Sequence, residues 1–304
     1  MGLPRSVALA GAGLGSLTAF NTWCRWSASP AYNRLGGKPT YYEWHDSRVF
    51  YTVEGEGAPL VLIHRPHWAA ASYEWRRVFH PLAEQRRVYA LDLLGFGLSD
   101  RPAAPYDAAL YVRLLHDFLH TIVPSPATIV ASGLSAAYTI ATAAAAPERV
   151  QRLVLVSPTW GRRVCCGAAL AALLRLPVVG TSALNVLASR RALRHVLEEH
   201  TYYDPTLVDD DLVEAAYAVC QRPGSTRAVA ALLAGQLDED ATSTWAALRR
   251  PALVVSGAEA PAETVAPPLA QARPDVRQVV VPACGLLPHE EHPQRFARLV
   301  LEPC

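Results

Sequence analysis

The chain has 304 residues, of which 51% are hydrophobic and 18% charged, and its formal charge is +1. A near-neutral balance lacks the basic surface that nucleic-acid binding requires, and the apolar share excludes a disordered chain. Six cysteines at this length are too sparse for a disulfide scaffold. Cys24, Cys165, Cys166, Cys220, Cys284 and Cys304 form no C-x-x-C pair and no zinc spacing, so free, mostly buried thiols in a reducing compartment are expected.

The first element is an uncharged run from Val7 to Phe20, VALAGAGLGSLTAF. As a helix it spans about 21 Å, short of the roughly 30 Å hydrocarbon core, and extension to Trp23 gives about 25 Å. Gly11 and Gly15 make a small-xxx-small pair, and Trp23, Trp26, Tyr32, Tyr41 and Tyr42 follow as candidates for an interfacial belt. Two readings stand: a membrane tether, or a helix packed on the main domain. A cleaved signal is disfavoured because no A-x-A-like site closes the run. If the run spans, Arg25, Arg34 and Lys38 outweigh Arg5 and place the main domain on the cytoplasmic side. Without a tether, a cytoplasmic protein is expected. Gly11-x-Gly13-x-Gly15 is no dinucleotide loop, because no strand precedes it.

Strand-like runs follow at Val49–Val53, Pro59–His64, Arg87–Leu93, Ala127–Ala131 and Leu153–Val156. Helices are predicted between them over Ser72–Gln85 and Ala108–Ile122, the latter with Leu110, Leu114, Leu115, Phe118 and Leu119 at helical spacing. The rhythm resumes at Ala252–Ser256, with a helix over Ala262–Ala272, a strand at Gln278–Val281 and a helix from Pro293. Strands alternating with helices predict a largely parallel sheet covered on both faces. Residues 159–248 break the pattern and are helical throughout, which fits a cap over the ligand-binding edge. The predicted organisation is a hydrophobic segment at 1–23, an α/β core at 24–158 and 249–304, and the helical cap at 159–248.

Pro59-Leu-Val-Leu-Ile-His64, Leu91-Asp-Leu-Leu-Gly-Phe-Gly-Leu-Ser-Asp-Arg-Pro102, Pro147-Glu-Arg-Val150 and Cys284-Gly-Leu-Leu-Pro-His-Glu-Glu-His-Pro293 together resemble the α/β-hydrolase fold family. The resemblance implies an α/β fold with a mostly parallel sheet of the eight-strand type, helices on both faces and a helical cap. It also implies a nucleophile on a sharp strand-to-helix turn, usually G-x-S-x-G. Counting back from Pro147-Glu-Arg-Val150 puts that place on Gly133, with Ala131 and Ser135 as its small neighbours. The acid's place falls on Ala260, in Gly257-Ala-Glu259-Ala260, and the base's place on Leu286. The usual His-Gly after the third strand is His64-Arg65. Arg65, Leu134 and Trp75 are the candidate oxyanion and pocket residues.

Three vacated positions predict a chain without the triad, since losing its serine or histidine alone costs about 10⁶ in turnover. The leading expectation is therefore a non-catalytic binding or assembly subunit. It would hold a hydrophobic small molecule under the cap or join a membrane protein complex, with no cofactor, no metal and no nucleic acid. Glycine at position 133 fits this reading, because the turn otherwise strains its central residue.

The alternative is an active serine hydrolase of esterase, lipase or dehalogenase type. Gly133-Leu-Ser135-Ala-Ala137 matches G-x-S-x-A, which makes Ser135 the nucleophile, His289 the base and Glu259 or Glu263 the acid. Against it, Ser135 reads as a small residue at a helix start, and Ser132 is expected to point away from the apex. His289 and His292 are three apart, where the zinc-protease motif needs four. His116 and His120 read as a solvated helix face, and Asp92 and Asp100 as scaffold around Gly95-Phe-Gly97.

Overall fold

A computed structural model describes residues 5–159, 168–261, 273 and 276–302, with only the helical backbone described at 5–12 and 168. Eight strands form one sheet: β1 (Lys38–Trp44), β2 (Ser47–Glu54), β3 (Pro59–Ile63), β4 (Arg87–Leu91), β5 (Ala127–Ser132), β6 (Val150–Val156), β7 (Ala252–Gly257) and β8 (Arg277–Val281). Their spatial order is β1-β2-β4-β3-β5-β6-β7-β8. The β1–β2 and β2–β4 pairs are antiparallel; all others are parallel. This is the α/β-hydrolase fold.

Alternation along each central strand divides the core. Leu60, Leu62, Val130, Val154, Val156, Leu253 and Val255 enter one apolar cluster, and Val61, Ile63, Ile129, Ala131, Leu153, Leu155 and Val254 the other. Both faces are therefore buried, which is why these strands read as continuous apolar runs. The edge strand β1 was not predicted. Its sequence, KPTYYEW, carries a proline and charges that a sheet edge tolerates and a central strand does not.

The helix predicted over Ser72–Gln85 is two pieces, a 3₁₀ turn at Ser72–Trp75 and α2 at Phe79–Ala83, with α1 (Arg5–Trp26) preceding it. Pro81 lies in the first turn of α2, and its ring and missing N–H prevent the helix from running back through Arg77. Then follow α3 (Ala108–Thr121) and α4 (Ser135–Ala145). Between β6 and β7 come α5 (Ala168–Leu174), α6 (Val179–Leu187), α7 (Arg190–His200), α8 (Asp210–Cys220), α9 (Ser225–Leu233) and α10 (Thr242–Ala247). The chain closes with α11 (Pro288–Glu291) and α12 (Pro293–Leu301). A third apolar cluster, with Leu174, Leu184, Leu193, Val213, Tyr217 and Val229, joins the inserted helices to Ala69 and Leu287 of the core. The helix predicted at Ala262–Ala272, and Cys165, Cys166, Cys304 and Glu263, lie outside the described residues. Cys24, Cys220 and Cys284 are free and buried.

The spanning reading of the N-terminal segment is corrected: among the described residues no helix is long and apolar enough to cross a membrane. Instead α1 carries Asn21, whose amide donates to the Val178 carbonyl at 3.0 Å. The Asn21 side-chain oxygen accepts from Ser182 at 3.0 Å and Asn185 at 2.9 Å. A half-buried polar anchor of this kind fixes the helix to α6 through hydrogen bonds rather than through glycine packing; a Cβ on Gly15 would meet open space.

The loops after β3 and β4 are held by Asp92. Its carboxylate accepts the N–H groups of Ser72 at 2.5 Å and Leu98 at 2.6 Å, and its carbonyl accepts the Ser99 hydroxyl at 2.6 Å. Gly97 fits against it because φ is +47° and a Cβ there would lie 2.1 Å from the carboxylate. Asp92→Ala leaves the buried Ser72 N–H and the half-buried Leu98 N–H unpaired. In a denaturant melt it is expected to lose about 3 kcal/mol or more; a loss near zero contradicts this role.

Candidate active site

Three parallel strands end at one crevice, where the open α/β sheet binds ligands. β3 runs into His64-Arg65-Pro66-His67, β5 ends at Ser132 before the Gly133–Leu134 turn into α4, and β6 ends at Val156 before Ser157. Arg65, His67, Ser132, Gly133, Leu134 and Ser157 line a cavity of about 580 Å³. Its opposite wall is apolar and comes from the inserted helices, through Leu193, Val196, Leu197, Leu212, Ala215 and Val219. This volume suits a small organic molecule.

At the turn, Gly133 has φ +57°. Its N–H donates to Val156 at 2.9 Å, and its carbonyl accepts from Thr159 at 3.1 Å and Ala136 at 3.2 Å. A Cβ on Gly133 would lie 2.9 Å from the Arg65 Cβ. The stem of Arg65 therefore covers the apex, and its charge acts on the groups around it.

Glu74 lies in the 3₁₀ turn, with its side chain only 6% exposed. Oε2 accepts the Arg65 N–H at 3.3 Å, the Ser132 hydroxyl supports the carboxylate, and Oε1 lies 3.5 Å from His289 Nε2. Burial pushes the carboxyl up from its usual 4.5 to about 7, against the charge of Arg65 and the hydrogen bonds from Ser132 and Arg65. His289 is fully buried between Trp75, with ring centroids 4.2 Å apart, and Phe296, at 5.6 Å. Burial, helped by the Arg65 charge, lowers its pKa to about 3. The ring is thus neutral at physiological pH, and its approach to Glu74 is not an ion pair. Neighbouring Glu290 accepts from Arg76 Nε and the Tyr202 hydroxyl, each at 3.0 Å, yet burial still raises its carboxyl. His67 is held neutral by burial and by Arg65, and its Nδ1 accepts the Ala69 N–H at 3.2 Å.

Of the sequence candidates, Arg65 and Leu134 line the cavity, whereas Trp75 lies behind it under His289. Ser135 is buried, and its hydroxyl donates to the His64 carbonyl at 2.7 Å. No hydrogen bond joins it to His289, because the serine faces β3 and the imidazole faces Trp75. Glu259 is exposed, with its N–H on the Cys284 carbonyl at 3.0 Å, while Ala260 is buried. Leu286 lines the cavity and donates its N–H to Thr201 at 2.9 Å. Ser132, expected to point away from the apex, lines the cavity, as does Glu74. Glu74 was missed: it fell inside a predicted helix, where a charge reads as a solvated face. Among the described residues no three His, Cys, Asp or Glu side chains gather as a metal site.

Residues 60–299 match the model of the alpha/beta hydrolase family. The chain belongs to that family. It is 31% identical to a 2-hydroxymuconate semialdehyde hydrolase of Pseudomonas putida over 261 residues, covering 81% of this chain and 87% of that one. A solved serine hydrolase involved in carbazole degradation superposes with TM-score 0.71 at 25% identity, covering 86% and 96% of the two chains. A mutant meta-cleavage product hydrolase from Pseudomonas fluorescens IP01 gives TM-score 0.71 at 25% identity, covering 86% and 95%. These relatives are named as hydrolases, and they overturn the expectation that this hydrolase-family chain is a non-catalytic assembly subunit. That expectation set three vacated positions of the motif above the polar groups that remained at the crevice, and the relatives favour the alternative of an active hydrolase.

Gly133→Ser places a side chain at φ +57° against Arg65 and is expected to cost about 1–3 kcal/mol; equal stability contradicts it. His289, lowered from 6.5 to about 3, makes the unfolded chain bind a proton that the fold refuses. Stability then falls as pH drops through that window. Glu74 acts oppositely: the folded state keeps a proton between 4.5 and about 7, so stability falls as pH rises there. Glu74→Gln is expected to melt higher than the parent above pH 7 and to lose that advantage below 4.5; a pH-independent difference contradicts the assignment.

Proposed function

We propose that the chain is a hydrolase that cleaves a small, mostly apolar carbonyl compound bound between the strand ends and the inserted helices. The observation that carries this reading is the cavity itself, apolar on the helical side and polar at the ends of β3 and β5. Hydrolysis there needs positive charge where the carbonyl oxygen becomes an oxyanion, a group to take a proton and room for the remainder of the substrate. Arg65 supplies the charge, Glu74 titrates near the working pH, and Leu197, Leu212 and Val219 accept the apolar part. The names of the relatives make 2-hydroxymuconate semialdehyde the first compound to try, with p-nitrophenyl butyrate as a simple ester.

Turnover of at least one of these two compounds is expected. Ala216 lines the same apolar wall, and Ala216→Trp, which narrows it, is expected to raise KM about tenfold or more without lowering the melting temperature. No turnover of either compound above the buffer rate overturns the proposal.

A further inference from the structure

We propose that the nucleophile of this site is Ser132, one residue before the apex of the turn, and that Glu74 is its general base. The inference rests on the hydrolase reading above and assigns its chemistry to residues outside the family's usual positions.

Several observations converge. Ser132 ends β5 on the face shared by Val130 and Trp75, and it lines the cavity. The Glu74 carboxylate lines the same cavity, and the Ser132 hydroxyl holds its pKa down, so nucleophile and base share one wall. Ser135, by contrast, spends its hydroxyl on the His64 carbonyl and is not on the cavity wall. Glu74 is faced by Arg65 from the loop after β3, Ser132 from β5, and His289 and Glu290 from α11. Of these only Arg65 brings positive charge at neutral pH, because burial keeps His289 neutral. His289 thereby closes the rear of the carboxylate without competing for its proton. The carboxyl then titrates close to neutral pH, where a base is most effective.

The chemistry balances. The Ser132 O–H bond breaks and its proton passes to Glu74, while Oγ bonds to the substrate carbonyl carbon and the oxygen takes negative charge beside Arg65. Collapse re-forms the carbonyl and breaks the bond to the leaving group, which takes the proton from Glu74. Water then repeats the sequence on the acyl-serine: its proton goes to Glu74, its oxygen bonds to the carbonyl carbon, and the ester bond breaks as Ser132 recovers the proton.

The test is labelling of the full chain with diisopropyl fluorophosphate, mapped by peptide mass, beside turnover of p-nitrophenyl butyrate. A single adduct at Ser132 is expected, with a rate that rises through a midpoint near pH 7. Glu74→Gln is expected to slow labelling about 100-fold, Ser132→Ala to abolish it, and Ser135→Ala to leave the adduct on Ser132. Melting curves establish that each variant is folded. An adduct at another residue, or Ser132→Ala hydrolysing the ester as the parent does, overturns the assignment while leaving the hydrolase reading intact. Labelling of Ser132 with no turnover of either test compound overturns the proposed substrate and supports the nucleophile. Absence of both overturns both.

Discussion

Glu74 gives up most of its hydration at the floor of the cavity, and the rest of the site is arranged around that cost. A carboxylate removed from water holds its proton to higher pH unless charge and hydrogen bonds compensate. Here Arg65 and Ser132 compensate only in part, so the group settles near neutrality rather than in the ordinary acidic range. His289 behind it is equally buried and stays uncharged, which prevents a second cation from pulling the carboxylate back down. One cause gives both shifts: burial disfavours the charged form, which is the deprotonated carboxyl and the protonated imidazole.

The fold supplies this geometry through its strand ends. β3 and β5 are neighbours in the sheet, so the residues that follow them, Arg65 and Ser132–Gly133, meet at one point. Glycine at the apex, with its positive φ, lets the Arg65 stem lie across the turn. Asp92 ties the segment carrying Glu74 to the loop after β4. From the opposite side, Arg76 bridges Glu290 of α11 and Asp209 at the start of α8, at 3.0 and 2.9 Å, so the inserted helices are held to the same elements that carry the carboxylate.

Much of the fold was legible in the sequence, because the central strands are buried on both faces and read as unbroken apolar runs. β1 was not, since an edge strand with Pro39 and Glu43 has no such run. In the site, counting from Pro147-Glu-Arg-Val150 placed Gly133 at the turn, and the His64-Arg65 departure pointed to Arg65. Glu74 escaped, and Ser132 was weighed and set aside, because the crevice they share is tertiary. They are far apart in sequence, and nothing local distinguishes a carboxylate buried by packing from one on a helix surface. His289 was offered as a base only in the alternative reading, and the burial that keeps it neutral depends on α11 docking against the 3₁₀ turn.

The most direct test of the central claim is the infrared carboxyl band of the parent minus that of Glu74→Gln, followed as a function of pH. The account predicts a protonated-carboxyl signal that persists to neutrality and disappears with a midpoint near 7. A midpoint near the ordinary 4.5 would contradict it.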